Sequence, residues 1–228
     1  RLDDFIMKSK WLITGGRGYI GSHIASKFAQ HNAEIVVLDY EKSRNREISR
    51  SNIQYLDADI RDIDCLLEIF SSHKFDGVVH LAALKSVSDS LTDPKRYENT
   101  NVLGTGNVAR AALKHKIGKF IFASSAAVYG NQEHGVANES DFPNPISPYG
   151  QTKLEGEKLI SEIFSSTSTN YISLRYFNVA GTSDSRLSDT TGTNLIPIIV
   201  RDVSEGRRPR IFGTDYKTKD GTCVRDYI

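Results

Sequence analysis

Short apolar runs alternate along this chain with longer segments of helical periodicity. The runs are rich in β-branched and aromatic residues, and most are nearly all apolar, as strands covered on both faces are. They predict the strands Trp11–Thr14, Glu34–Asp39, Ile53–Leu56, Gly77–Ala82, Lys119–Ser124 and Tyr171–Phe177. The segments between them predict the helices Gly18–Gln30, Ile63–His73, Pro94–His115 and Pro148–Phe164.

This alternation predicts an α/β fold, in which a doubly wound, Rossmann-type parallel sheet carries helices on both faces. We assign residues 1–180 to this nucleotide-binding domain. The pattern changes after Val179, and we interpret residues 181–228 as the truncated start of a smaller substrate-binding domain. Its predicted elements are the loop Gly181–Asn194, the helix Asn194–Gly206 and the short strands Arg210–Gly213 and Cys223–Ile228.

The composition narrows the class of protein. Hydrophobic residues make up 39% and charged residues 25% of the 228 residues, which excludes a disordered or collagen-like chain, and no apolar run reaches membrane length. The formal net charge of +1 gives no basic excess, so neither nucleic acid nor a membrane surface is an expected partner.

The N-terminal residues and the two cysteines indicate the cellular compartment that we expect for the protein. Residues 1–10 lack the apolar segment of a secretory signal, and we interpret residues 1–6 as upstream or cloning-derived sequence before a natural start at Met7. Cys65 and Cys223 lack metal-ligand spacing, so we expect no metal site and two reduced thiols in a cytoplasmic protein.

A glycine-rich loop follows the first predicted strand and opens the first predicted helix. Gly15, Gly18 and Gly21 fit the pattern G-x-x-G-x-x-G. Gly16, Gly18 and Gly21 fit the dinucleotide-binding pattern G-x-G-x-x-G. Glycines permit a tight turn and let the backbone approach a pyrophosphate, which the free amide groups at the helix start attract. A tight βα turn is the alternative, but the strand before the loop and the helix after it are the context of a dinucleotide site, which the loop therefore predicts.

Acidic residues extend this prediction. Asp39 ends the second strand eighteen residues after Gly21, where a carboxylate accepts hydrogen bonds from ribose hydroxyls and repels a 2′-phosphate. The position favours NAD over NADP, whereas Arg17 in the loop favours a 2′-phosphate, and we give Asp39 the greater weight. Asp59 and Ile60, after the third strand, are expected to flank the adenine.

Tyr149 and Lys153 form a candidate catalytic pair. They lie four residues apart in a helix that Ser147 can cap, so they share a helical face. Ser125 follows the fifth strand, at the carboxyl edge where open α/β sheets bind ligands. A tyrosine and a lysine four apart also occur by chance on helix surfaces, and it is the combination with the glycine loop, Asp39 and Ser125 that favours chemistry.

The pair suits removal of a hydroxyl proton. An ammonium about 4 Å from a phenol contributes roughly 4 kcal/mol at an effective dielectric constant of about 20, which lowers the phenol pKa by roughly three units before desolvation. We therefore expect Tyr149 to act as the base, Lys153 to lower its pKa, and Ser125 to hydrogen-bond the oxygen that loses the proton.

At this point the chain resembles the extended short-chain dehydrogenases/reductases and, within them, the UDP-glucose 4-epimerases. The segments that carry the resemblance are Thr14–His23 (TGGRGYIGSH), His80–Lys85 (HLAALK), Phe122–Gly130 (FASSAAVYG), Ser147–Lys153 (SPYGQTK), Leu174–Gly181 (LRYFNVAG) and Ile211–Ile228 (IFGTDYKTKDGTCVRDYI).

The resemblance implies a role for each matching residue. Besides the glycines, the residues implied to line the NAD site are Tyr19, Ile20, Asp39, Asp59, Ile60, Leu81, Ala82, Lys85, Asn101, Tyr149, Lys153 and Phe177. The residues implied to bind the UDP-sugar are Ser125, Tyr149, Asn178, Asn194, Leu195, Phe212 and Arg225. A homodimer is also implied, formed through Pro94–His115 and Pro148–Phe164.

The implied reaction is NAD-dependent epimerisation at C4 of UDP-glucose or UDP-galactose through a 4-keto sugar. Ala126 and Ala127 stand where related dehydratases carry an acidic pair, which disfavours loss of water. Two alternatives remain at this point: another nucleotide-sugar epimerase or reductase of the same superfamily, and a non-catalytic nucleotide-binding module.

Overall fold

The computed structural model describes residues 8–40, 47–132, 135–192, 194–211 and 213–228. Its strands are β1 Lys10–Thr14, β2 Glu34–Asp39, β3 Ile53–Asp57, β4 Gly77–His80, β5 Lys119–Ser125 and β6 Asn170–Tyr176. Its α-helices are α1 Tyr19–Gln30, α2 Ile63–Ser72, α3 Val87–Thr92, α4 Pro94–Tyr97, α5 Gly104–Lys114, α6 Pro148–Phe164 and α7 Leu195–Ser204. A π-helical segment, Glu98–Leu103, connects α4 to α5, and 3₁₀ turns occur at Ala126–Val128 and Ser185–Leu187.

The strands form one parallel sheet of six strands in the order β3-β2-β1-β4-β5-β6. This order reverses direction between β1 and β4, and the predicted doubly wound α/β fold is confirmed. In such a sheet the crevice beyond the carboxyl ends of the strands, at the reversal point, is the usual ligand site.

Alternate strand residues supply two cores. On one face Trp11 and Ile13 pack with Val37 and with Ala25 of α1. On the other face the core contains residues of α2, α5 and α6, and its strand members include Leu12, Val36, Leu38, Val78, Phe120 and Phe122. Because successive side chains of a strand point to opposite faces, nearly continuous apolar strands fill both cores.

The described chain forms two compact units, and the division falls between Tyr176 and Phe177. The first unit contains the whole sheet. The second contains α7 and a parallel bridge between Asn178 and Tyr227. The assignment of these units to cofactor and substrate stays a prediction.

Several predicted elements differ in the structure. Cys223–Ile228 is not a strand, since its described pairing is the single bridge of Tyr227 to Asn178, and Arg210–Gly213 is not a strand over its described residues 210, 211 and 213. A β-prone run needs a partner for its backbone groups, and these runs lack an extended one. The predicted helix Pro94–His115 contains the π-helical segment, and α3 was not predicted.

No helix in the described ranges combines the length and the apolar character that crossing a lipid bilayer requires.

The packing of β4 on β1 leads to a test of the fold. A Cβ atom on Gly77 would overlap the indole ring of Trp11, with its Cε3 atom at 2.6 Å, and both residues are buried. We expect Gly77→Ala to reduce the free energy of unfolding by about 1–3 kcal/mol, measured by urea denaturation. Gly118→Ala is the control, because its Cβ would lie 3.7 Å from the nearest heavy atom, and equal losses for both variants would contradict the packing.

Candidate active site

The glycine loop is close-packed between β1 and α1. Gly15 has φ of +69°, and a Cβ there would lie 2.7 Å from the backbone nitrogen of Ala82. A Cβ on Gly21 would overlap the carbonyl oxygen of Gly15. Helix α1 begins after Gly18 without a side-chain cap, so its first amide groups are presented to a ligand. This side-chain-free cradle fits the pyrophosphate of a dinucleotide.

Asp39 and Arg17 meet beside this loop. The carboxylate of Asp39 accepts a hydrogen bond of 3.0 Å from the backbone nitrogen of Arg17. The buried Arg17 guanidinium forms ion pairs of 2.7 Å with Glu47 and 2.8 Å with Asp57, and it lies 5.4 Å from the ring centre of Tyr55. The arginine that favoured a 2′-phosphate is therefore engaged by two carboxylates, which supports the preference for NAD.

The two residues predicted to flank adenine differ in environment. Asp59 accepts hydrogen bonds from the guanidinium of Arg61, including one of 2.9 Å from Nε, and these hydrogen bonds lower the pKa of Asp59. Ile60 is buried, and its carbonyl oxygen accepts a hydrogen bond of 3.2 Å from Asn107 of α5. The segment after β3 is thus held in place from both sides.

Asn101 lies in the π-helical segment and is 1% exposed. Its amide nitrogen donates to the carbonyl oxygen of Leu84 at 3.0 Å and to Oγ1 of Thr152 at 3.1 Å, and its Oδ1 accepts from the Leu84 nitrogen at 2.8 Å. The side chain therefore joins the segment after β4 to α6. That segment also contains Leu81 and Ala82, which are partly buried, and Lys85, which is exposed.

Ser125 and Tyr149 lie close to each other. Ser125 ends β5, and Tyr149 is the second residue of α6, whose first turn is capped by Ser147: its hydroxyl oxygen accepts a hydrogen bond of 3.1 Å from the Gly150 nitrogen. The hydroxyl of Ser125 is near enough to the phenol of Tyr149 to act on its pKa, in the direction of a lower value. Both are partly exposed, so a ligand at the carboxyl edge of the sheet can reach them.

Lys153 lies one turn after Tyr149 on α6 and is 4% exposed. Its ammonium donates a hydrogen bond of 2.8 Å to the carbonyl oxygen of Ala123 and lies 5.0 Å from the ring centre of Phe122. Burial lowers the pKa of Lys153 to about 8, and the negative charge of Glu157 opposes that decrease.

The pKa of Tyr149 differs from the expectation. Burial raises it, although the nearby hydroxyl of Ser125 acts in the opposite direction. The expected decrease required an ammonium about 4 Å from the phenol, whereas in the structure the Lys153 ammonium donates to the carbonyl oxygen of Ala123. Loss of hydration disfavours the phenolate more than the neighbouring groups stabilise it. Tyr149 is therefore a neutral phenol at pH 7.

His80 is a site residue that the sequence analysis did not single out. It ends β4 and is completely enclosed, and its two ring nitrogens make hydrogen bonds of 2.6 Å to Thr14 and 2.9 Å to Thr105. Burial, together with the charge of Lys153, lowers its pKa to about 3, so the ring is neutral. The sequence signal that could have identified His80 is its place as the polar residue at the end of an otherwise apolar strand.

Apart from Ser125 and Tyr149, the predicted sugar-nucleotide residues belong to the second unit. Asn178 donates from its backbone at 3.1 Å and from its side chain at 2.8 Å to the carbonyl oxygen of Asp226, the residue that follows Arg225. Asn194 donates to the carboxylate of Asp189. Phe177, Leu195 and Arg225 are exposed, and Phe212 lies outside the described residues.

Across the ranges that the structure describes, no group of three or more histidine, cysteine, aspartate or glutamate side chains is arranged to hold a metal ion.

The buried ammonium makes the stability of the protein depend on pH. Between about pH 8 and the ordinary lysine value near 10.4, the unfolded chain binds a proton at Lys153 that the folded chain does not. Stability relative to Lys153→Met therefore rises with pH in this window, by up to about 1.4 kcal/mol per pH unit. Urea denaturation at several pH values measures it, with the exposed Lys158→Met as control. Parallel pH curves for wild type and Lys153→Met would contradict the burial.

Comparison with known proteins agrees with this geometry. The NAD dependent epimerase/dehydratase family model matches residues 11–228. The chain is 39% identical over 222 residues to the UDP-glucose 4-epimerase of Halalkalibacterium halodurans, and the match covers 95% of this chain and 66% of that protein. It is 38% identical to UDP-glucose 4-epimerase 2 of Arabidopsis thaliana, with 97% and 68% covered.

A similar solved structure is that of the UDP-glucose 4-epimerase from Stenotrophomonas maltophila with bound NAD and formylated UDP-arabinopyranose. The TM-score is 0.86 at 36% sequence identity, and the match covers 96% of this chain and 69% of that one. The chain thus spans about two thirds of the length of the proteins it matches. The match over residues 11–228, with the fold and the glycine loop, shows that this chain belongs to the NAD dependent epimerase/dehydratase family.

Proposed function

We propose that the protein is an isomerase that inverts C4 of a UDP-hexose, UDP-glucose or UDP-galactose, with NAD as a resident cofactor. The observation that carries this proposal is that Ser125, at the carboxyl end of β5, lies close to Tyr149 on the helix that also carries the buried Lys153. The relatives named UDP-glucose 4-epimerase support it.

The chain offers a place for each part of the cofactor. The glycine loop would hold the pyrophosphate, and Asp39 the adenosine ribose. The remaining proposed contacts are Tyr19, Ile20, Asp59, Ile60, Leu81, Ala82, Lys85, Tyr149, Lys153 and Phe177. Asn101 would act on this site through Leu84, because its amide hydrogen bonds join that segment to α6.

In the proposed reaction Tyr149, as the phenolate, removes the proton of the sugar C4 hydroxyl, and Ser125 hydrogen-bonds the same oxygen. NAD, when bound, would accept the C4 hydride and return it to the opposite face of the 4-keto sugar, and its positive ring would favour the phenolate. The proton on Tyr149 then returns to the oxygen, so the reaction has no net oxidation. Lys153, four residues after Tyr149 on α6, would contribute a buried positive charge on the same face of the helix.

The second unit would bind the UDP-sugar. Asn178 and Arg225 are suited to a diphosphate and its sugar, and Asn178 is hydrogen-bonded to Asp226, the residue after Arg225. Asn194, Leu195 and Phe212 complete the proposed set. A 4,6-dehydration is not favoured, because Ala126 and Ala127 follow Ser125 and offer no acid.

We further propose a cytoplasmic homodimer. Both cysteines are free thiols, as a reducing compartment favours. Leu103 and Leu113, on the helical stretch from α4 to α5 that the resemblance implies for dimer formation, are 49% and 38% exposed. Sedimentation at several concentrations measures the oligomeric state.

Turnover without added cofactor tests the function. We expect purified protein to convert UDP-galactose to UDP-glucose with no added NAD, because the proposed reaction returns its hydride. Chromatography of the nucleotide sugars measures the conversion. Turnover that requires stoichiometric reduced cofactor would indicate a reductase, and binding without turnover would indicate a nucleotide-binding module.

Removal of the phenolic hydroxyl tests the assigned base. We expect Tyr149→Phe to lower kcat by about 10²–10⁴-fold, because the sugar hydroxyl then has no acceptor for its proton. The amount of NAD that co-purifies is measured in parallel and kcat is expressed per bound NAD, because Tyr149 is itself a proposed contact of the cofactor. Turnover within a few-fold of wild type would show that another group is the base.

A further inference from the structure

Glu157 lies at the centre of a charged cluster beside the proposed active site. Its carboxylate accepts hydrogen bonds from Arg175 at 3.0 Å from Nε and 2.7 Å from Nη2, and another from the hydroxyl of Ser124. The side chains of Glu157 and Arg175 are 12% and 20% exposed. Bidentate, partly desolvated pairs of this kind hold both partners in one geometry.

The cluster joins three elements at the carboxyl edge of the sheet. Ser124 on β5 and Arg175 on β6 are directly paired in the parallel register, and Glu157 of α6 binds both. The Arg175 guanidinium also lies 4.7 Å from the ring centre of Tyr129, which follows the 3₁₀ turn after Ser125. The cluster therefore holds the end of β5 and the loop after it against α6.

Glu157 also acts on Lys153 through its charge. The two residues are four apart on α6 and share one helical face. Other titratable side chains come from the neighbouring elements. His80 of β4 lies near Lys153, and Arg175 of β6 interacts with Glu157 and Tyr129. Tyr97 of α4 acts on Tyr149, and Asp89 of α3 acts on Tyr97. His80 is neutral, and Arg175 is bound to Glu157, so Glu157 is the carboxylate that favours the charged form of Lys153.

We propose that Glu157 is a positioning residue of the active site, which keeps the buried Lys153 protonated and holds Ser124, and with it Ser125, against the helix that carries Tyr149. The catalytic part of this inference rests on the proposed function. The electrostatic part does not, because the charge of Glu157 acts on Lys153 whether or not substrate is present.

The proton affinity of Lys153 gives the direct measurement. In protein with ¹³Cε-labelled lysine, NMR titration follows each ammonium, and the Lys153 signal is assigned by its absence in Lys153→Met. We expect Glu157→Gln to lower the Lys153 pKa by about one pH unit, because Gln keeps the hydrogen-bonding shape and removes the charge. Glu157→Asp keeps the charge, and its Lys153 pKa should lie much closer to the wild-type value.

The pH profile of turnover gives the catalytic consequence. In Glu157→Gln the ammonium loses its proton at a lower pH, so the alkaline limb of the kcat/KM profile should shift to lower pH by about one unit. Near pH 9 this shift corresponds to about a tenfold loss of kcat/KM. Ser124→Ala is the matched control, because it removes a hydrogen bond of the cluster and no charge. Ser124→Ala should lower kcat, while the alkaline limb of its kcat/KM profile should stay at the wild-type pH.

A fourth variant covers the case in which Glu157→Gln does not fold, since that change leaves Arg175 without its carboxylate. Glu157→Gln with Arg175→Gln removes both charges, and it should still lower the Lys153 pKa. An unchanged Lys153 pKa in the folded variants, or an equal change in Ser124→Ala, would overturn the proposal. Because the NMR titration needs no turnover, absence of epimerase activity in the wild type would overturn the proposed function and leave this inference to be decided separately.

Discussion

The buried ammonium of Lys153, held against the carbonyl oxygen of Ala123, is the interaction on which the arrangement of the active site depends. A charge 4% exposed is costly, and burial lowers its pKa to about 8. The structure offsets this cost with a backbone acceptor, an aromatic face at Phe122 and the carboxylate of Glu157. Each of these partners comes from β5 or α6, so the same contacts that keep the lysine charged also dock the catalytic helix on the sheet.

The pKa of Tyr149 shows how burial can outweigh a nearby charge. A simple Coulomb calculation in a medium of uniform dielectric predicts a more acidic phenol, whereas the described protein has a less acidic one. The ammonium and the phenol are both withdrawn from water, and each loses hydration that its neighbours replace only in part. Activation of the phenol in the proposed enzyme therefore needs the further positive charge that bound NAD supplies.

Polar side chains at the carboxyl edge form connected networks rather than separate contacts. Asn101 joins the segment after β4 to α6, and His80 joins β1 to α5 through Thr14 and Thr105. Buried polar groups of this kind are costly unless fully hydrogen-bonded, and once satisfied they favour one arrangement of the elements around them. The edge of the sheet is thereby made rigid where the proposed cofactor and sugar would meet.

Local patterns were enough to predict the six strands of the sheet, their parallel arrangement and the glycine loop, and they selected Ser125, Tyr149 and Lys153 as the proposed catalytic residues. Apolar runs, glycine spacing and an i, i+4 pair are properties of neighbouring residues, so they can be seen in the sequence. Tertiary structure decided what depends on residues far apart: the engagement of Arg17 by Glu47 and Asp57, the internal hydrogen bonds of Asn101, the direction of the Tyr149 pKa shift and the meeting of Glu157 with Arg175. Desolvation and long-range pairing arise only when the strands and helices pack, and no local spacing in the chain encodes them.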